Sequence, residues 1–75
     1  MNAIEFYRTE ISKYTKNSVK KAYLTRSKKE CVEHLTDLRA AVWRSGWLHG
    51  ERVTVERIMD IKNEINAIDS IYKEL

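Results

Sequence analysis

The sequence predicts an all-α fold, and three observations carry that prediction. The 75-residue chain has no proline and only two glycines, too few turn formers for the many tight connections a sheet requires. Its last third places Ile58, Ile61, Ile65, Ile68, Tyr72 and Leu75 at alternating spacings of three and four, the heptad signature of a helix whose apolar seam must be covered by another helix. Hydrophobic residues make up 43% of the chain and charged residues 33%, a balance that supports a folded core rather than disorder. The expected architecture is one domain over 1–75. An N-terminal helix over about 3–15 either ends there or bends and continues to 26, and an antiparallel hairpin follows, with helices over about 28–49 and 55–75.

Each element has a local reason. Asn2 followed by Glu5 is an asparagine version of the capping box, in which each side chain satisfies a backbone N–H that the helix start leaves free. Ile4, Tyr7, Ile11 and Tyr14 then recur at helical spacing on one face, and Phe6 widens it. The run Thr15, Lys16, Asn17, Ser18 holds three side chains that compete for backbone hydrogen bonds, which predicts a break or bend near Asn17. Val19, Ala22 and Tyr23 form a short apolar patch beyond it.

Ser27 with Glu30 is a second capping box, and it predicts a helix starting at Lys28 with Cys31, Leu35, Leu38 and Val42 on its inner face. Gly46 and Gly50 are both able to supply the left-handed residue that closes a helix. Gly50 is the preferred end, because a helix of about 22 residues would span about 33 Å and match the last helix in length. Thr54 caps that last helix, Val53 and Ile58 staple its entry, Glu56 sits in its first turn, and Asp69 and Lys73 form a favourable pair.

Size and seam together predict self-association. A chain this short buries only about 60% of its unfolded surface, and a single cysteine, Cys31, allows no intramolecular disulfide. Isoleucine at both heptad positions favours three- or four-helix packing, so a homo-oligomeric helical bundle, a dimer of hairpins, is expected. The lone cysteine and the lack of an apolar leader point to a reducing, cytoplasmic setting. The longest apolar run, Ala40 to Trp43, is far below the roughly 20 residues of a membrane span.

Charge is segregated along the chain. Residues 11–29 contain Lys13, Lys16, Lys20, Lys21, Arg26, Lys28 and Lys29 with no acid, while the whole chain is only +3. Such segregation predicts an anionic partner, nucleic acid or nucleotide, with Tyr23 placed to stack on a base beside Lys16 and Lys20. The structural alternative is a solvated face that keeps the chain soluble.

Trp43 and Trp47 lie one helical turn apart, flanked by Arg39 and Arg44. Their stripe is the natural site for the first helix or a second subunit to pack. As exposed residues they would instead anchor a partner protein of the host, as in an adaptor or inhibitor. Cys31 and His34 share a helical spacing but are too few for a metal site, so no metal or cofactor is expected. There is no glycine-rich phosphate loop or nucleophile motif. The expected function is therefore binding, not catalysis: an anionic ligand through residues 13–29 first, a protein partner through the tryptophans second, and structural self-assembly third.

Overall fold

The computed structural model describes residues 2–75. Among them the chain forms three helices and one small antiparallel sheet, in the order α1 (Ala3–Ile11), α2 (Asn17–Arg44), β1 (Trp47–Leu48), β2 (Glu51–Arg52) and α3 (Val55–Glu74). The all-α expectation therefore holds except at the connection between the last two helices.

Helix α1 begins as expected, with the Glu5 N–H donating to Asn2 Oδ1 at 2.9 Å. It ends at Ile11 instead of near residue 15. The N–H groups of Lys13 and Tyr14 turn to carbonyls three residues back, at 3.4 and 3.1 Å, and this tightened turn uses up the helix end. The break thus falls at 12–16, just before Asn17.

The expected start at Lys28 is overturned, because α2 runs unbroken for 28 residues from Asn17. Ser27 and Glu30 resemble a helix start but lie inside the helix. A capping box stops nothing when the residues before it are also helical, and here burial of Leu24, which is fully enclosed, holds those residues in place.

The expected end at Gly50 is also overturned. Gly46 takes a left-handed φ of 79°, and its N–H donates to the Ala41 carbonyl at 2.7 Å, closing α2 four residues earlier. Positive φ at His49 (50°) and Gly50 (78°) then makes a two-residue reversal with the twist that suits paired strands. It sets Trp47 opposite Arg52 and Leu48 opposite Glu51. The Val53 N–H returns to the Gly46 carbonyl at 2.8 Å, and Thr54 caps α3 by accepting from the Arg57 N–H at 3.2 Å.

Helices α2 and α3 form the antiparallel hairpin expected. Lys28 Nζ meets Asp69 Oδ1 at 2.8 Å, and Lys21 Nζ lies 5.7 Å from the centre of the Tyr72 ring. Asp69 is thus engaged across the hairpin and not by Lys73. Helix α1 lies along α3 in the same direction, with Ala3 and Ile4 beside Asn63, Ala67 and Ser70 and Arg8 reaching Glu74 at 2.9 Å.

The core gathers where all three helices meet: Tyr7, Ile11, Leu24, Cys31, Ile68 and Ile71, with Ile61, Ile65 and Leu75 packed against them. The heptad seam is rotated from its expected line. Ile68 is 1% exposed, whereas Tyr72 is 42% exposed and Ile71 and Ala67 are buried in its stead. The reason is that α1 covers a second side of α3, and the buried face widens towards that side. On α2, Ala41 likewise replaces Val42 as the enclosed residue.

The chain is elongated, 44 × 21 × 19 Å with a radius of gyration of 14.0 Å, against about 11 Å for a compact chain of this length. Helix α1, nine residues long, spans about 13.5 Å and is tied to the start of α2 by residues 12–16. It can cover only the near half of the hairpin. The far half, with the strands at its tip, projects as two helices.

Candidate binding surfaces

Continuity of α2 decides where the basic segment goes. Lys13 lies in the α1–α2 connection, 3.2 Å from Glu10 Oε1, and Lys16 is the residue before α2. Lys28 is committed to Asp69 and Lys21 to the Tyr72 ring. Tyr23 is half-buried, its ring 5.8 Å from that of Tyr14. Burial pushes its hydroxyl above the usual tyrosine range, partly offset by a bond to Ser27. Arg26 and Lys29 are exposed, and Lys20 is half-buried. Helical phase turns Lys20 and Tyr23 to one side of α2, Lys21 and Lys28 to a second and Lys29 to a third, so no single face of the helix carries all six of the predicted residues that lie on it.

Cys31, His34, Glu30 and Glu64 border a hollow beside Phe6 and Tyr7, in the middle of α1. Tyr7 Oη and Cys31 Sγ are 3.9 Å apart and buried. Desolvation, reinforced by this contact, raises the Tyr7 hydroxyl far above its ordinary value, and desolvation raises the Cys31 thiol. A thiol held protonated is a poor nucleophile and a poor metal ligand. No group of three or more His, Cys, Asp or Glu suited to a metal ion occurs among the described residues.

These shifts predict an alkaline transition. In the folded chain both groups keep their protons at pH values where the unfolded chain releases them, near 9.0 for the thiol and 10.0 for the hydroxyl. Stability is fully present below those values and falls as pH rises through them. Urea midpoints should drop between pH 9 and 11, and a Tyr7→Phe, Cys31→Ala variant should show a shallower drop. Equal slopes in the two proteins would contradict this origin.

The projecting half carries the second surface. Trp43 is 90% exposed, and Val32, Val42, Trp47, Val55 and Met59 are exposed with it. The tryptophans are therefore not core for the first helix. Helix α1 docks at the other end of the hairpin, against Glu74, beyond whose reach the tip lies. Arg39 and Arg44 are exposed on α2. Arg57 donates to the Arg52 carbonyl at 3.3 Å and pairs with Glu51 at 3.5 Å, bracing the strands on α3. Sequence reasoning did not include Val32, Val55 and Met59 in this surface. Their signal was apolar residues lying off the main seam.

Comparison with protein-family models, with curated proteins and with solved structures returns no match. No helix among the described residues is long and apolar enough to cross a membrane.

Proposed function

We propose that this chain is a non-enzymatic binding protein that holds a partner protein with the projecting half of its helical hairpin, Trp43 serving as the anchor. The observation that carries this is Trp43, which at 90% exposed is the most exposed of the large apolar side chains and has Val42, Trp47 and Val55 exposed on the same projecting half, a concentration that marks an interaction site. The chain exposes 5541 Å², roughly 700 Å² more than expected for a folded monomer of 8.9 kDa. That excess follows from the projecting half of the hairpin, which makes the chain elongated. Tryptophan and arginine together are the composition of interface hot spots. A free, buried Cys31 suits work in the reducing cytoplasm.

The test is affinity capture from the native host with the wild-type chain and Trp43→Ala, scored for protein and nucleic acid. A protein retained by the first and lost from the second supports the reading. Nucleic acid retained equally by both would overturn it. Sedimentation over a range of concentrations reads the alternative use of the same surface, a dimer of hairpins.

A second reading, an anionic ligand bound along the start of α2, draws on the acid-free run from 11 to 29, in which Lys16, Arg26 and Lys29 are exposed. If four cations of this run met phosphates of duplex DNA, log K should fall with log salt at a slope of about −3.6. A flat response would remove this reading.

A further inference from the structure

Two contacts orient the faces of α2 and α3 relative to each other. Lys28 on Asp69 and Lys21 over Tyr72 mark the flank of the hairpin away from α1, which packs on α3 through the row containing Asn63, Ala67, Ser70 and Glu74. Steps of three and four from Lys28 lead along α2 to Val32, Leu35, Arg39 and then Val42 and Trp43. The same steps backwards from Asp69 lead along α3 to Ile65, Lys62, Ile58 and Val55. Because the helices are antiparallel, the two rows border one groove. Its exposure fits this phase: Val32, Val42, Trp43 and Val55 are exposed, and Ile58 and Ile65 are half-buried.

The charge of this groove is one-sided. Lys21, Arg39, Lys62 and Lys73 lie on its two rows, and its one acid, Asp69, is bound to Lys28. The acids Glu30, Asp60 and Glu64 sit instead in the hollows beside α1. Resting on the protein-binding reading above, we infer that this groove seats an acidic amphipathic helix of a different protein. Its apolar stripe would cover Val32, Ile58 and Ile65, and its carboxylates would meet Arg39 and Lys62. The docked helix would mirror α1 on the opposite flank of the hairpin and close a helical bundle there.

Charge decides among occupants. A second copy presenting the same groove would bring Arg39 and Lys62 against like charges, which disfavours it. Nucleic acid would find cations but also a floor of valine and isoleucine with no donors or acceptors for bases. An acidic helix satisfies both the floor and the rim. The groove, from Lys21 to Val42, is about 32 Å long and takes a helix of about 20 residues.

The probe is a synthetic peptide of about 20 residues, with leucine at heptad a and d positions and glutamate at most others, set beside a counterpart with lysine for glutamate. Binding is followed on the full chain by amide chemical shifts. The glutamate peptide should bind saturably and shift the amides of Val32, Arg39, Ile58 and Lys62. The lysine peptide should not bind. Arg39→Glu with Lys62→Glu, both at exposed positions, should weaken binding about tenfold or more while the helical circular dichroism is unchanged. Equal binding of both peptides, or shifts confined to the α1 side, overturns the inference. So does a concentration-dependent dimer, or a DNA duplex, that shifts those same amides while the glutamate peptide does not. If the peptide fails but Trp43-dependent capture of a protein persists, the acidic-helix occupant alone is lost and the protein-binding reading stands.

Discussion

Replacing Ile68 with alanine is expected to cost about 2–5 kcal/mol, the range for truncating a large aliphatic side chain in a packed core. A chain of this length has a total stability of only about 4–11 kcal/mol, so the variant should be at the edge of folding. Ile68 is 1% exposed and belongs to the cluster with Tyr7, Ile11, Leu24, Cys31 and Ile71. The cavity would open where three helices converge, and no one helix can collapse into it without leaving another. Tyr72→Ala is the control. It stands four residues on in the same heptad seam, but it is 42% exposed and outside the buried cluster, so it loses its contact with Lys21, worth about 1 kcal/mol or less, and only partial burial of its ring. Urea unfolding followed by circular dichroism reads both variants. Comparable losses from the two would mean that the seam, and not the three-helix cluster, is the true core.

Trp43→Ala is expected to do the reverse. An exposed side chain away from special features changes stability by no more than about 0.5 kcal/mol, and alanine is the better helix former. Affinity for the captured partner should nonetheless fall by about 2 kcal/mol or more, roughly thirtyfold, as for a central interface anchor. The two effects separate cleanly because Trp43 is attached to a helix held by Leu38 and Ala41, both enclosed, and contributes little to that core. Urea unfolding and titration with the purified partner test each part. A stability loss beyond about 1 kcal/mol would show that the ring is covered within the chain in solution.

Local signals were legible where they act alone. Asn2 and Thr54 cap their helices as expected, and both bonds are present. The α2–α3 hairpin followed from one short connection between two apolar helices. Ser27 misled because a capping side chain describes a helix start only when the preceding backbone is free to leave the helix, which Leu24 prevents. Gly50 misled for a related reason. His49 and Gly50 together are a two-residue strand reversal, but a single glycine after an apolar helix reads equally as its stop, and the competing stop at Gly46 decided the matter.

The candidate surfaces show the same division. Seven cations between residues 11 and 29 were plain in the sequence, yet their number did not disclose that Lys28 is spent on Asp69, Lys21 on Tyr72 and Lys13 on Glu10. The tryptophan pair was plain as well, but a stripe of apolar residues looks alike whether it is core or interface. By itself the sequence determined that the chain is mostly helical, the caps at Asn2 and Thr54 and the antiparallel pairing of the last two helices, because periodicity and capping act within a few residues of one another; it misplaced both ends of α2 and missed the strands. Only the tertiary structure decided which half of the hairpin is covered. That choice turns on the nine-residue length of α1 and its tether at 12–16, and it leaves Trp43 exposed at the far end, while the groove past Val32 and Ile58 stays open because α1 packs on the opposite flank.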